Sequence, residues 1–341
     1  MKLNKKIAAF FAMFAVLVTM VTVTPYGVLG EAHAERISLT PGGTAFGVKF
    51  FTKGVIVVGI TDVEVHDGLK SPARDSGIIV GDVITSIDGG EVNTVEHLGR
   101  LFSQSGGKPT TLSITRDDKD FSVVVTPVKS TDGSYKSGLW VRDSTAGIGT
   151  ITYIDAKTGN FGGLGHGICD GDTGKVMPIL RGVVVDVKIT GIVKGKINEP
   201  GELKGEFSNT QCGSINKNTI NGVFGKLEKP CITDLKPIEI GFRSEVKPGK
   251  AYIYTALDDE KPHMYEINIV KVYNNGEKTK NLLIKVTDKA LIAKTGGIVQ
   301  GMSGSPILQN GRLIGAVTHV MINDPTSGYG IFIENMLAEN K

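Results

Sequence analysis

The sequence predicts a mostly β protein in which a small β domain with one or two helices precedes a larger all-β domain. The chain has 341 residues, which is enough for about two domains of roughly 100–200 residues each. Its 45 glycines follow no collagen repeat and accompany 40% hydrophobic residues, so they indicate turns rather than general disorder. Short apolar runs separated by turn residues recur along most of the chain, with one clear helical pattern.

The N-terminus has the parts of an export signal. Lysines precede an apolar run from Ile7 to Val23, and a small-residue cleavage pattern ends at Ala34. We therefore expect residues 1–34 to direct export. An uncleaved anchor is the alternative, and this segment would then contact the membrane, although the run is slightly short of the ~20 residues that span a bilayer.

Charge and cysteine content exclude further classes. A net charge of +3, from 38 basic and 35 acidic residues, is too balanced to indicate a nucleic-acid partner. Cys169, Cys212 and Cys231 form no Cys-x-x-Cys pair, so we expect no metal site and no cofactor. Three buried or free thiols are favoured, with a disulfide between Cys212 and Cys231 as the alternative.

The small β domain is expected over residues 35–128. A helix is predicted to begin near Asn93, which has capping-box spacing to Glu96 ahead of an apolar pattern. The strands predicted in this domain cover 55–60, 83–87, 111–115 and 121–126.

Two segments of this domain, Ser71–Ile78 and Gly81–Gly89, resemble the signature of PDZ domains in secreted bacterial proteases. The upstream run Phe46, Gly47, Val48, Lys49 and Phe50 resembles a variant of the PDZ carboxylate-binding loop. That resemblance implies that its backbone N–H groups capture a peptide C-terminus while the peptide adds a strand to the sheet.

Residues 129–139 are expected to be a polar linker, followed by the larger domain over 140–341. Strands recur about every 10–15 residues without helical patterns between them, which predicts an all-β barrel or sandwich. The run Asn274-Asn275-Gly276 is a strong hairpin signal. The strands predicted here cover 148–154, 160–168, 183–193, 238–246, 251–257, 265–273 and 282–287.

The sharpest chemical motif is Gly301-Met302-Ser303-Gly304-Ser305-Pro306, followed by an apolar strand. A serine nucleophile needs a base and preorganised N–H donors for the oxyanion of the acyl intermediate. Glycines on both sides of Ser303 permit a tight turn in which the amides of Gly301 and Ser303 point into one hole. The full pattern resembles the serine loop of chymotrypsin-like proteases, which implies two β-barrels with the site between them.

The base is expected at His166, which lies in the Gly-rich run Gly162–Ile168 upstream of the serine. This order matches the His-before-Ser order of chymotrypsin-like enzymes. His319, on the strand after the nucleophile, is either a packed strand residue or part of a specificity pocket. The other histidines, His33, His66, His97 and His263, are in the signal, the PDZ domain or an apparent loop.

A carboxylate should orient the imidazole, and its identity is open on spacing alone. Asp288 ends a predicted strand before the nucleophile loop, 15 residues ahead of Ser303. Asp186 is the runner-up on chain order. Asp170 and Asp172 follow His166 so closely that a solvated turn is the better interpretation.

An export signal, one PDZ domain and a peptidase with these two motifs together resemble the stage IV sporulation protein B family of serine peptidases. The resemblance implies a catalytic set of His166, Asp288 and Ser303. It further implies an exported signalling protease in the forespore intermembrane space that cleaves its own N-terminal region and a membrane-anchored regulator, which leads to activation of a late mother-cell sigma factor. The alternative is a non-catalytic or PDZ-gated scaffold that binds the C-terminus of a membrane protein.

Overall fold

The computed structural model describes residues 36–228, 236–258, 261–274, 276 and 278–339. The expected export segment and Cys231 lie outside these residues, so the signal and the possible pairing of Cys212 remain predictions. Cys169 is exposed and Cys212 is buried. Within the described part of the chain, no helix is long and apolar enough to cross a membrane.

In chain order the strands are β1 (Ser38–Pro41), β2 (Ala45–Ile60), β3 (Val63–Val65), β4 (Gly68–Lys70), β5 (Val83–Ile87), β6 (Gly90–Glu91), β7 (Thr110–Arg116), β8 (Lys119–Val125), β9 (Val128–Lys129), β10 (Tyr135–Lys136), β11 (Leu139–Ile154), β12 (Asn160–Gly163), β13 (Ile179–Val193), β14 (Glu202–Thr219), β15 (Gly222–Leu227), β16 (Ile238–Glu239), β17 (Gly249–Thr255), β18 (His263–Val272), β19 (Leu282–Val286), β20 (Pro306–Gln309), β21 (Arg312–Met321) and β22 (Asp324–Phe332). The helices are α1 (Pro72–Asp75), α2 (Val95–Gln104), α3 (Lys289–Thr295) and α4 (Ile333–Ala338).

Six strands of the larger domain close into a first barrel. The pairing runs β11-β12-β15-β14-β13-β2, and β2 also pairs with β11, which completes the ring. Apolar side chains that alternate along these strands fill the barrel, among them Phe46, Phe50, Phe161 and Val184. This alternation is the pattern expected of strands with one face turned to a core.

The second barrel is closed by β17, β18, β19, β22, β21 and β20 in that order. Its core includes Ile253, Ile267, Ile284 and Ile307, each essentially inaccessible to solvent. Two six-stranded antiparallel barrels in sequence confirm the predicted chymotrypsin-like class.

The PDZ domain is inserted into the first barrel rather than placed ahead of it. The first half of β2 pairs with β13, and its second half pairs with β5 of the PDZ sheet. Strand β11 likewise pairs with β2 along both halves, from Leu139 to Thr150. The predicted boundary at residue 35 is therefore too early, because residues 38–52 belong to the peptidase sheets.

The predicted linker over 129–139 is also structured. It contains the small hairpin β9–β10 and runs directly into β11. The chain thus passes between the two domains on continuous strands.

The Gly-Asp motif of the PDZ domain has a structural reason. The side chain of Asp82 is fully buried and accepts hydrogen bonds from the Ile79 N–H and from Arg116, at 2.6 Å to Nε and 2.8 Å to Nη2. A buried carboxylate requires such pairing. The predicted capping box begins one residue too early: Thr94 caps α2 by accepting from the His97 N–H, and Asn93 accepts from the Gly54 N–H instead.

Candidate active site

Ser303 lies in the loop that joins α3 to β20 of the second barrel. Gly301 and Gly304 on either side both have φ of +96°. An L-residue is strained in that conformation, so both positions favour glycine. Gly304 also approaches the first barrel closely: a Cβ there would lie 2.0 Å from the Thr150 carbonyl oxygen. The motif therefore meets two demands, a tight turn and close contact between the barrels.

The loop leaves two amides without an internal acceptor. The N–H groups of Met302, Gly304 and Ser305 donate to Val299, Val317 and Met302, respectively. The N–H groups of Gly301 and Ser303 donate to no acceptor within the described residues. These two amides are the predicted oxyanion donors, and the loop leaves both available for a ligand.

His166 is carried by the first barrel. It follows β12 after Leu164 and Gly165, which have φ of +64° and +68°. Its Nδ1 lies 2.8 Å from the carbonyl oxygen of Gly167. Because a carbonyl only accepts, Nδ1 carries the proton and Nε2 is left as an acceptor. The imidazole therefore has the tautomer that a general base for serine requires.

Ser303 and His166 line one cavity of about 610 Å³ between the barrels, together with Thr318, His319 and Cys169. The hydroxyl of Ser303 donates to the Thr318 carbonyl oxygen at 2.9 Å. The rings of His166 and His319 face each other with centroids 5.1 Å apart and a 37° tilt. Rotation of the serine side chain from Thr318 toward the imidazole is the step that would activate the hydroxyl.

Burial lowers the pKa of His166 below its usual value, and the hydrogen bond to the Gly167 carbonyl opposes that shift. The pKa of His319 is also lowered, first by desolvation and then by repulsion from His166 and Lys280. Both rings are consequently neutral at pH 7. A neutral imidazole is the form that accepts a proton from serine.

Asp288 is not among the residues that line the cavity of His166 and Ser303. It caps α3, where its carboxylate accepts from the Leu291 N–H at 2.9 Å and from the Glu266 N–H at 3.4 Å.

The other carboxylates considered from sequence are also engaged elsewhere. Asp170 is buried and paired with Arg142 at 2.6 Å, and Asp172 is paired with the same guanidinium at 2.7 Å. Asp186 is exposed and accepts from the Val187 N–H. In the part of the chain that is described, His166 has no carboxylate hydrogen-bond partner, and the Gly167 carbonyl holds its Nδ1.

The predicted PDZ carboxylate loop is wrong. Phe46, Gly47, Val48, Lys49 and Phe50 lie in the middle of β2, with β11 on one side and β13 on the other. Their backbone groups are used in the sheet, and Phe46, Val48 and Phe50 are buried in the core of the first barrel. The run that resembles a carboxylate-binding loop is therefore part of a barrel strand.

A groove of about 700 Å³ lies elsewhere on the PDZ domain. It is lined by Val95, Leu98 and Phe102 of α2, by the start of β11 at Leu139–Val141, and by the hairpin β9–β10. These first residues of β11 pair with β2 on one edge, and none of the described strands pairs with the other. An open strand edge beside a helix can accept an added peptide strand.

Sequence reasoning missed the backbone carbonyls of Gly167 and Thr318 and the threonines of β11 described below. Carbonyl groups carry no residue-specific signal. The two glycine-rich motifs and the order of histidine before serine were enough to find the two side chains that share the cavity.

The family model for SpoIVB peptidase S55 matches residues 133–337, and a PDZ-domain model matches residues 67–116. A Bartonella henselae protein described as a zinc metalloprotease is 32% identical over 136 residues, 36% of this chain and 36% of that protein. The chain therefore matches about a third of the length of this curated relative.

Three solved structures are similar to parts of the chain. The PDZ domain of the SdrC-like protein from Listeria monocytogenes is 22% identical, with a TM-score of 0.21, over 26% of this chain and 87% of that chain. An HtrA-type protease with a decapeptide is 13% identical, with a TM-score of 0.33, over 58% of this chain and 51% of that chain. A Mycobacterium tuberculosis protein in an inactive form is 12% identical, with a TM-score of 0.29, over 57% of this chain and 81% of that chain. The two-barrel fold is shown by the chain's own strand pairing.

Proposed function

Since this chain belongs to the SpoIVB peptidase S55 family, whose model covers residues 133–337, we propose that it is an exported serine endopeptidase. One observation carries the proposal. Ser303 and His166 come from different barrels and line the same cavity, beside two amides that have no acceptor among the described residues.

In this mechanism Ser303 Oγ attacks the carbonyl carbon of the scissile peptide bond, and its proton moves to Nε2 of His166. The amides of Gly301 and Ser303 stabilise the oxyanion that forms. The imidazolium then protonates the leaving amine as the C–N bond breaks. Water then attacks the acyl carbon while His166 takes its proton. The ester bond to Ser303 Oγ breaks, His166 returns the proton to that oxygen, and the second product leaves as a carboxylic acid.

The orienting group in this proposal is the Gly167 carbonyl, which accepts from Nδ1–H of His166 and fixes the ring. A carbonyl stabilises an imidazolium less than a carboxylate does, because it carries only a partial charge. The proposed site is therefore a serine–histidine pair whose imidazole is oriented by a backbone carbonyl. Asp288 contributes to this proposal only as the N-cap of α3.

Substrates are proteins or peptides. A C-terminal peptide adds as a strand to the open edge of β11 beside α2, which brings a bound protein to the strand that also borders the active site. Support comes from the PDZ match and from the groove at Leu139–Val141.

The physiological substrates are a membrane-anchored regulator and the enzyme's own N-terminal region, and cleavage of the regulator leads to activation of a late mother-cell sigma factor. The enzyme acts in the forespore intermembrane space after export through its N-terminal segment. Family membership and the lysine-flanked apolar run before Ala34 support this part of the proposal. In a spore-forming host, a Ser303→Ala copy should leave the regulator intact and a sigma-factor reporter silent, and an active reporter would contradict it.

Hydrolysis of β-casein by the purified chain tests the enzymatic proposal. Ser303→Ala should lower kcat by about 10⁶-fold, as expected when a serine nucleophile is removed. Ser305→Ala is a matched control two residues away, because Ser305 Oγ is buried and donates to the Met302 carbonyl. Its turnover should fall far less. Equal turnover in wild type and Ser303→Ala would overturn the proposal, and no turnover in the wild type would favour a scaffold that only binds peptides through the PDZ groove.

A further inference from the structure

Thr150, on β11, contacts both segments that carry the active-site side chains. Its N–H donates to the Ser303 carbonyl at 2.9 Å, and its carbonyl accepts from the Leu164 N–H at 3.2 Å. Leu164 is two residues before His166. One residue therefore ties the nucleophile loop of the second barrel to the histidine segment of the first.

The side chain of Thr150 adds a third link. Its Oγ1 donates to the Gly301 carbonyl at 2.8 Å, and both groups are buried. That carbonyl belongs to the peptide unit between Gly301 and Met302. The unit lies between the two peptide groups whose N–H atoms form the oxyanion hole, those of Gly301 and Ser303.

The conformational freedom of Gly301 makes this link important. Glycine populates many backbone conformations, and φ here is +96°, so the residue's own sterics do not fix the orientation of the peptide group that follows. Removing the hydroxyl would leave the Gly301 carbonyl buried without a donor from Thr150. The peptide group would then rotate to find another partner, and the flanking N–H vectors would turn with it.

We propose that Thr150 is a positioning residue that holds the Gly301 and Ser303 peptide groups in the orientation required for oxyanion binding. This inference rests on the proposed serine-peptidase function. It assigns the role to the hydroxyl, which is the part of the residue that substitution can remove without changing the strand.

Thr152 provides a matched comparison on the same strand. Its Oγ1 is also buried and donates to the Gly304 carbonyl at 2.8 Å. The peptide group it holds joins Gly304 to Ser305 and contributes no oxyanion donor, because its N–H, that of Ser305, donates to the Met302 carbonyl. Thr150→Val and Thr152→Val thus each lose one buried hydroxyl–carbonyl bond to the same loop, at nearly the same distance.

The test measures inactivation of the full chain by a fluorophosphonate probe, whose phosphoryl oxygen occupies the oxyanion position after attack by Ser303. Thr150→Val should lower the maximal inactivation rate by about 10–100-fold with an unchanged probe affinity, somewhat less than the ~10²–10³ of a deleted oxyanion donor. The maximal inactivation rate of Thr152→Val should stay within about threefold of wild type. Its Tm should fall by a small amount, similar to that of Thr150→Val. Thr150→Ser keeps the hydroxyl and should restore most of the rate.

Equal rates for the two valine variants, or a Thr150→Ser rate as low as that of Thr150→Val, would overturn the positioning role. If Thr150→Val does not fold, Thr150→Cys places a weaker donor at the same position and is judged by the same comparison. An unreactive wild type would instead refute the proposed peptidase function, so the two failures are distinguishable.

Discussion

The imidazole rings of His166 and His319 lie 5.1 Å apart, centroid to centroid, in the cavity that holds Ser303. Residue 166 belongs to the first barrel and residue 319 to β21 of the second. The cavity between the barrels thus contains two neutral histidines, of which only His166 has its Nδ1 tied to a backbone carbonyl. In this arrangement the His319 ring covers one side of His166 and contributes to its desolvation.

The pH dependence of catalysis should reflect this environment. Because burial lowers the pKa of His166, the neutral base persists below pH 6.5. The acid limb of kcat/KM, which reports the free enzyme, should therefore have its midpoint below 6.5. The unfolded chain binds this proton more readily, so folding stability should also fall as the pH drops from 6.5 through the folded-state pKa. An acid limb centred above 6.5 would contradict this account.

His319→Ala should move that acid limb to higher pH. Removing the facing ring admits water to the cavity, and less desolvation of His166 lets its pKa rise toward the usual value. The measurement is the pH profile of kcat/KM for the variant and for a His97→Ala control, since His97 lies on α2 of the PDZ domain. An acid limb that His319→Ala leaves in place would show that the second ring does not shield the base.

Substitutions of Asp288 distinguish a helix-capping role from a role in orienting His166. Asn caps helices about as well as Asp, whereas Ala loses the cap at a cost of about 0.5–2 kcal/mol. We expect Asp288→Asn to retain activity within about tenfold and Asp288→Ala to lower Tm. A loss near 10⁴-fold in Asp288→Asn with unchanged Tm would show that the carboxylate reaches His166 in the working enzyme.

Gly304→Ala should disrupt the contact between the two barrels at Gly304 and destabilise the protein. The added Cβ would meet the Thr150 carbonyl oxygen at 2.0 Å and the Leu164 nitrogen at 2.5 Å, and both are backbone atoms that cannot move aside. Gly311→Ala is the control, because Gly311 also has positive φ, +74°, but has no atom within 4 Å of the added Cβ. Thermal denaturation should show a loss of about 1–2 kcal/mol for Gly311→Ala and a much larger one for Gly304→Ala. Similar losses would show that backbone strain alone dominates at Gly304.

Gly99→Ala should stabilise the protein. Gly99 is exposed in the interior of α2, and an added Cβ there meets nothing within 4 Å. Alanine removes the entropic cost of glycine in a helix, a gain of roughly 0.5–1 kcal/mol. A lower Tm for Gly99→Ala would mean that the groove beside α2 does not tolerate a methyl group, in contrast to the open space observed.

Local patterns predicted much of the fold. Alternating apolar residues and turn signals located most strands, and Gly301–Pro306 and Gly162–Ile168 located the serine and histidine that share the cavity. The insertion of the PDZ domain was not predictable in this way. Strands β2 and β11 each extend from the barrel into the PDZ sheet, and strand propensity does not indicate which strands pair with them. Residues 46–50 were misassigned because the run resembles a PDZ carboxylate-binding loop, whereas it lies within β2.

The orientation of His166 shows a second limit of sequence reasoning. Asp288 has a plausible spacing from Ser303, yet an acidic residue directly before a helix also fits an N-cap, and α3 realises that use. The group that does contact the imidazole is the carbonyl of Gly167, which every residue type possesses. Thr150 is similarly invisible in sequence, because its importance depends on which loop the barrel closure brings to it.

The central claim is that Ser303 is a nucleophile activated by His166 between the two barrels. It is tested most directly by mapping the covalent adduct of a fluorophosphonate probe on the purified chain by peptide mass spectrometry. Attack forms the Ser303 Oγ–P bond, fluoride leaves, and the serine proton passes to His166. We predict a single adduct on Ser303, none on Ser305, and none in the His166→Ala variant; an unmodified Ser303 in the folded wild type would contradict the account.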